Sequence, residues 1–163
     1  MKKIYILSVL LLIYVGVYSQ TLEYSEGFYY KNGMLYSGTF TENWPNNNIK
    51  IVQTIRNGQE DGITEIYFEN GILQEQRSYL EGQKHGIWYT YNEAGAKIAE
   101  ANYRHHKKDG IWRIWDDEGR LRYEMYYSNG EKTGVWRIWD ETGTLISERN
   151  YSPGSMNSCF DFL

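Results

Sequence analysis

The stretch that decides the fold is residues 110–133, which read GIWRIWDDEGRLRYEMYYSNGEKT. Its opening segment, 111–115, is short, β-branched and aromatic, which is typical of a β-strand. A polar turn signal follows and ends at Gly119, which suits a type I turn that closes with glycine in the left-handed region. A second strand is predicted at 121–127. The stretch therefore predicts a β-hairpin.

The same pattern recurs every 24 residues along the chain. Two glycine columns repeat at this spacing: Gly38, Gly62, Gly86, Gly110, Gly134 and Gly71, Gly95, Gly119, Gly143. Three aromatic columns run beside them: Tyr79, Tyr103, Tyr127, Tyr151; Trp88, Trp112, Trp136; and Tyr67, Tyr91, Trp115, Trp139. A lone hairpin is marginal in water, so we expect the copies to stack. The predicted fold is all-β, an elongated and twisted antiparallel meander of hairpin repeats.

The repeats divide the chain into predicted segments. Four clear copies are followed by a C-terminal tail and preceded by a leader and by divergent N-terminal repeats that form a cap. The predicted boundaries are 1–19 for the leader, 20–61 for the cap, 62–85, 86–109, 110–133 and 134–157 for the copies, and 158–163 for the tail. Residues 127–134 are expected to turn the chain into the next strand, which opens at its glycine.

Side-chain parity predicts which residues share a face of the sheet. Leu121 and Tyr127 are six residues apart and are expected on the packed face, whereas Glu124 is at odd spacing and points to the other. The carboxylate column of Glu100, Glu124 and Glu148 is interpreted as a solvated face rather than as a catalytic pair. The first strand carries apolar groups on both faces, which indicates partial cover on both sides or a bulge.

The N-terminus has the pattern of a secretory signal peptide. Lys2 and Lys3 precede an apolar run at 4–17, and Val17 and Ser19 lie at −3 and −1 for cleavage before Gln20. The run is shorter than the ~20 residues that span a bilayer as a helix. We therefore predict export to the periplasm, the cell envelope or the medium, with no stable transmembrane segment after cleavage. An uncleaved membrane anchor is the alternative.

The composition argues against a nucleic-acid partner. Among 163 residues there are 16 tyrosines, 6 tryptophans and only 2 prolines, and the formal net charge is −4. Loss of Lys2 and Lys3 with the leader would change −4 to −6. Such an acidic chain is a poor match for a phosphate backbone, so no nucleic-acid partner is predicted.

Cys159 is the only cysteine in the sequence. It is interpreted as an inert thiol, with an intermolecular disulfide as the alternative.

No motif of known chemistry is found in the sequence. It has no nucleophile elbow, Walker loop, HExxH or dinucleotide fingerprint, so we predict no enzyme activity, no cofactor and no metal. The His105–His106 pair lies with Lys107 and Lys108 between two repeats and is interpreted as a solvated loop. A metal or anion site there would need further ligands from elsewhere, because adjacent residues of a strand point apart.

The unit Tyr-x-x-Gly-x-x-x-Gly-x-Trp, present at 79–88 and 127–136, resembles the MORN repeat. It is closer to the bacterial MORN-variant group, whose members are often labelled YwqK-family antitoxins. The resemblance covers roughly residues 24–157, with His106 in place of a glycine and Thr64 in place of the tryptophan. It implies an elongated β-sheet used for protein contacts, and in eukaryotic relatives for assembly near membranes.

We therefore expect an exported, non-catalytic interaction or scaffold module that binds a protein partner. Two alternatives are an antitoxin-like or immunity protein and a surface protein that binds envelope carbohydrate through exposed rings. The aromatic columns are interpreted first as a core ladder; if one face of the sheet is open, they would form a binding strip, because large apolar patches on soluble proteins usually mark interaction sites. The predicted interaction face consists of Trp88, Trp112, Trp136, Tyr91, Trp115 and Trp139.

Overall fold

The computed structural model describes residues 22–151, which form β-strands joined by tight turns. The strands are β1 (Glu23–Ser25), β2 (Phe28–Lys31), β3 (Met34–Leu35), β4 (Gly38–Asn43), β5 (Ile49–Arg56), β6 (Gln59–Tyr67), β7 (Leu73–Leu80), β8 (Gln83–Lys84), β9 (Gly86–Tyr91), β10 (Lys97–Arg104), β11 (Lys107–Trp115), β12 (Leu121–Ser128), β13 (Glu131–Trp139) and β14 (Leu145–Asn150). The predicted all-β fold is confirmed. The predicted leader and tail, with Cys159, lie outside the described residues. Within residues 22–151 there is no helix long and apolar enough to cross a membrane.

The strands form two antiparallel sheets. β1, β2 and β3 make a small sheet, while an eleven-stranded sheet runs in the order β14-β13-β12-β11-β10-β9-β7-β6-β5-β4 with β8 beside β7. Within each sheet, consecutive strands pair with each other, except that β8 and β9 both pair with β7, and this order confirms the predicted antiparallel meander. Because no second layer covers most of the large sheet within residues 22–151, nearly complete side-chain burial there is confined to Gln53, Ile55 and Thr64.

The turn inside each repeat has the predicted chemistry. In the third copy the Gly119 N–H donates to the Asp116 carbonyl at 3.0 Å, and the Asp116 N–H donates to the Arg120 carbonyl at 3.0 Å. Gly119 has φ +79°, and the equivalent Gly95 and Gly143 both have φ +82°. Residues with a Cβ adopt this conformation only with a steric clash, which glycine avoids because it has none. The prediction of a left-handed glycine at this turn is confirmed.

In the other glycine column, Gly38 and Gly86 open β4 and β9 as expected, whereas Gly62, Gly110 and Gly134 lie inside their strands. The chain turns on Asn129 and Gly130, with φ of +51° and +93°, and β13 begins directly afterwards, three residues before Gly134. Gly134 lies where the register of β12 and β13 shifts, as at a β-bulge. The prediction that Gly134 opens the strand was wrong, because an Asn-Gly pair with positive φ reverses the chain in two residues.

A second irregularity changes which residues share a face. Ile114 opposes Tyr123 but Trp115 opposes Leu121, so one extra residue separates two consecutive pairs. Directly opposed residues share a face and successive residues alternate. Leu121 therefore lies on the face opposite to Tyr127, and the expectation that they share one was wrong. A one-residue bulge is enough to reverse this assignment.

The small sheet covers one end of the large one. The Tyr29 N–H donates to the Gly58 carbonyl at 2.8 Å, and the Gly58 N–H donates to the Tyr36 carbonyl at 2.7 Å. Gly58 has φ +77°, and an added Cβ would lie 3.1 Å from the Tyr29 carbonyl oxygen and 2.7 Å from the end of the Leu35 side chain, so this position favours glycine. Gln53 also donates to the Tyr29 hydroxyl at 3.3 Å. Gln53 and Gly58, both buried, therefore lie against the small sheet.

The turn at His105–His106 is strained because neither residue is glycine. Their φ angles are +47° and +67°, and His106 occupies the position of Gly82 and Gly130. We expect His106→Gly to raise the free energy of unfolding by about 0.5–1 kcal/mol, since relief of strain exceeds the added entropy of the unfolded chain. Urea denaturation followed by tryptophan fluorescence measures this, with Gly130→Ala as a destabilised control. An unchanged or lower midpoint in His106→Gly would contradict the account.

Candidate interaction surface

An unbroken row of rings crosses one face of the large sheet, which we call the aromatic face. Tyrosine and tryptophan alternate along it, and neighbouring ring centroids are 4.8–5.5 Å apart at tilted or edge-on angles. Such geometry is favourable for aromatic pairs. The row consists of Tyr79, Trp88, Tyr103, Trp112, Tyr127, Trp136 and Tyr151.

Each tryptophan of this row is fixed by the bulge next to it. The indole Nε1 of Trp112 donates to the Asn102 carbonyl at 2.9 Å. Trp88 and Trp136 make the same bond, at 2.9 Å, to the carbonyls of Ser78 and Tyr126. A bulge interrupts the backbone ladder and leaves polar groups that need other partners. The glycine and tryptophan columns therefore act together, because the bulge at the glycine frees the carbonyl group to which the tryptophan indole donates.

Lysine side chains cover the outer surface of the row. The Nζ of Lys108 lies 4.2 Å from the Trp112 ring centroid and 4.7 Å from that of Tyr127. Lys84 bridges Trp88 and Tyr103 in the same way, at 4.5 and 5.2 Å. Cations placed over ring faces gain about 0.5–1 kcal/mol at exposed sites. The rings are thus half-buried, and they hold the strands together as a ladder.

The opposite face carries a row of alternating charges, which we call the charge-ladder face. Its successive pairs, across five strands, are Glu100–Arg113 (3.7 Å), Arg113–Glu124 (3.1 Å), Glu124–Arg137 (3.5 Å) and Arg137–Glu148 (2.9 Å). The side chains of Glu100 and Glu124 are only 13% and 14% exposed. The interpretation of this column as solvated was wrong for these two residues. Arg113 and Arg137 supply the missing partners, and their spacing of 24 residues was the signal for them.

The predicted interaction residues fall on both faces. Trp88, Trp112 and Trp136 belong to the aromatic face, as described above. The register places the column of Tyr91, Trp115 and Trp139 on the charge-ladder face. Lys97 lies 4.8 Å from the Trp115 ring there. The structure therefore does not bring these six residues together on one surface.

A shallow cavity of about 360 Å³ opens on the aromatic face at the C-terminal end of the sheet. Its lining is largely apolar, and it spans the last three strands, β12, β13 and β14. The residues that line it are Tyr123, Met125, Trp136, Arg137, Ile138, Ser147, Arg149 and Tyr151. Except for Arg137, they lie on the aromatic face by the strand register.

The histidines lie apart from this cavity. His105 contacts the Gln83 side chain through Nδ1 at 2.8 Å, and the Nδ1 of His106 accepts from the Lys84 N–H at 3.4 Å. The ring of His85 packs against that of His105 at 5.1 Å. Within residues 22–151, no group of three or more potential ligands is placed to hold a metal ion.

Burial perturbs two tyrosines strongly. It raises the pKa of Tyr79 to about 12, and the Glu60 carboxylate contributes to the rise. Burial also raises the pKa of Tyr67 to about 12, with the hydrogen bond to Glu65 as the next cause. The phenols of Tyr67 and Tyr79 therefore stay neutral to higher pH in the folded chain than in the unfolded chain.

This perturbation predicts a loss of stability at alkaline pH. Because both values exceed the ordinary pKa of 10.0, the unfolded chain releases these protons first as the pH rises. We expect the free energy of unfolding to fall between about pH 10 and pH 12 and to be insensitive to these groups below that window. Urea midpoints across the range measure it, and Tyr79→Phe should flatten the decline. An equal slope in wild type and Tyr79→Phe would contradict it.

Comparison with known proteins identifies the repeat. No curated protein matches the chain. The family model described as MORN repeat variant matches four segments at 60–81, 84–105, 108–129 and 132–152. These segments begin 24 residues apart, the period of the aromatic ladder, and together they include more than half of the chain. The chain therefore belongs to the MORN repeat variant family.

Proposed function

We propose that this protein is an exported, non-catalytic module that binds a protein partner through its aromatic face. The observation that carries the proposal is the incomplete cover of that face. The small sheet covers its N-terminal end, whereas Ile114 and Tyr123 towards the C-terminal end are 39% and 38% exposed. Exposed apolar side chains next to an apolar cavity are typical of protein interaction sites.

The polar groups support a non-catalytic role because they serve the fold. Asp116 accepts from the Arg120 guanidinium at 2.9 Å, and Asp140 accepts from the Thr142 hydroxyl at 2.7 Å. Desolvation alone would raise the pKa of Asp116, but hydrogen bonds from the Arg120 backbone and guanidinium hold it below the usual range. The Thr142 hydroxyl and the Thr144 N–H likewise hold the pKa of Asp140 below its usual range. Both aspartates are therefore engaged in closing hairpin turns.

Export rests on the sequence of residues 1–19. We expect the mature protein to begin at Gln20, and mass spectrometry of its N-terminal peptide after cell fractionation measures this. Replacement of Leu11 and Leu12 by arginine should interrupt the apolar run and leave the uncut protein in the cytoplasm. An intact N-terminus on membrane-bound protein would indicate an anchor instead.

A matched pair of variants tests the binding face. Ile114 is 39% exposed on the aromatic face, and Ile87 is 40% exposed on the charge-ladder face. The full mature chain, Ile114→Asp and Ile87→Asp would each be cross-linked in the native envelope and the captured proteins quantified. We expect one protein to be recovered with wild type and Ile87→Asp and to be lost with Ile114→Asp. Thermal melts establish that both variants fold.

Other outcomes assign other functions. Equal recovery by all three proteins would overturn the aromatic face as the binding site. Retention of envelope polysaccharide without any protein would favour the carbohydrate-binding alternative. If the captured protein is a toxin that the chain inactivates, the module acts as an antitoxin-like or immunity protein, which specifies the proposed function further.

A further inference from the structure

The last strand, β14, lies at an edge of the large sheet. It pairs with β13, and within residues 22–151 no strand lies on its other side. A strand at an edge directs alternate N–H and C=O groups outward, where an extended segment of another chain can pair with them. The cavity on the aromatic face lies directly beside this edge, because three of its lining residues, Ser147, Arg149 and Tyr151, are on or next to β14.

Arg149 is a cation without a carboxylate partner within the described residues. Three repeats earlier, Arg77 occupies the same position and its Nε donates to Glu75 at 2.7 Å while its guanidinium lies 5.3 Å from the Trp88 ring. Ser147 stands where Glu75 would be. Arg149 opposes Trp136 across the strand pair, but no ion pair of its side chain is present in residues 22–151. The first and last copies of the repeat thus carry an arginine at the same position, and within the described residues only Arg77, in the first copy, pairs with a carboxylate.

The small side chain of Ser147 also leaves room beside this charge. Ser147 opposes Ile138, and Ile138 lines the cavity together with Tyr123 and Met125. A ring or aliphatic group from an adjacent strand could pass over Ser147 and contact these apolar residues. The site therefore combines an edge for backbone pairing, a cation for a carboxylate and an apolar recess two residues away.

We propose that β14 binds an extended acidic peptide segment of the partner as an added strand. An aspartate or glutamate of that segment pairs with Arg149, and an apolar side chain two positions away on the same face occupies the cavity. This rests on the proposed function and names the chemistry of the partner. Backbone pairing supplies sequence-independent affinity, whereas the carboxylate and the apolar group supply selectivity.

Selection from a library tests the peptide chemistry. Random eight-residue peptides displayed on phage would be selected against the full mature protein. We expect the enriched sequences to place Asp or Glu two residues from Phe, Tyr, Trp, Leu or Ile. Synthetic versions should bind Arg149→Met at least tenfold more weakly than wild type, and Ser147→Glu likewise, because it restores the internal pair seen at Arg77. Arg56→Met, at an exposed arginine elsewhere, should bind as wild type does.

Several results would overturn the inference. Enriched peptides without an acidic residue, or with affinities unchanged by Arg149→Met and Ser147→Glu, would do so. Self-association that Ser147→Glu abolishes would assign the edge to a second copy of this chain. If the envelope partner is lost with Ile114→Asp but retained with Arg149→Met and Ser147→Glu, the aromatic face binds it and only the acidic-peptide inference fails. Recovery of no envelope protein by wild type would instead count against the proposed function.

Discussion

Replacement of Trp112 by alanine is expected to lower the free energy of unfolding by about 3 kcal/mol. The ring lies between Tyr103 and Tyr127, at centroid distances of 5.2 and 5.5 Å, and carries the Lys108 ammonium at 4.2 Å. Its loss would remove these contacts from the middle of the ladder. Urea denaturation followed by circular dichroism measures the change, because the signal does not depend on the deleted fluorophore.

Trp112→Phe separates the ring from its hydrogen bond. This variant keeps an aromatic contact but loses the bond from Nε1 to the Asn102 carbonyl, so we expect a loss of about 1 kcal/mol. If Trp112→Ala and Trp112→Phe were equally stable, stacking in the ladder would contribute nothing. A loss below about 1 kcal/mol for Trp112→Ala would show that the backbone pairing alone holds these strands.

Gly110→Ala is expected to cost about 2–3 kcal/mol, from two sources that act together. Gly110 has φ +97°, which side chains rarely adopt, and an added Cβ would lie 3.3 Å from the Cβ of Asn102. Movement of Asn102 would disturb the carbonyl that Trp112 binds. We therefore expect both a lower urea midpoint and a change in the near-ultraviolet circular dichroism of the tryptophans.

Gly119→Ala is the matched control for the crowding term. Gly119 also has positive φ, +79°, but no heavy atom lies within 4 Å of an added Cβ. Only backbone strain remains, and we expect a loss of about 1 kcal/mol. Equal losses at Gly110 and Gly119 would mean that strain alone explains both glycine columns and that the bulge tolerates a side chain.

Much of the fold is predictable from one copy of the repeat, since strand and turn chemistry are local. The run from Ile111 to Trp115 predicts its strand, and Gly119 predicts the turn that follows. Bulges are different, because they depend on how two strands align rather than on either strand alone. Parity counted along 121–127 therefore failed at the irregularity opposite Trp115, and Gly134 was mistaken for a strand opening.

The site was predictable only in part. The sequence identifies the aromatic columns, and the odd spacing of Trp112 and Trp115 within one strand places them on opposite faces, but the spacing does not state which face is left open. The cavity at the C-terminal end was missed because it depends on a difference between copies. Comparison of position 147 with position 75 was the available signal, since serine replaces glutamate there while the arginine two residues later is kept.

Because each 24-residue unit adds one bulge and one step of the aromatic ladder, the large sheet can lengthen or shorten only by whole units. Loss of residues 86–109 would place Trp112 beside Tyr79, in the position that Trp88 now holds, and would shorten the sheet by two strands, about 10 Å. Gain of a unit would lengthen it by the same step. Because the gained or lost unit lies between the small sheet and β14, duplication or deletion of 24 residues changes the span of the large sheet and leaves both of its ends, with whatever they bind, intact.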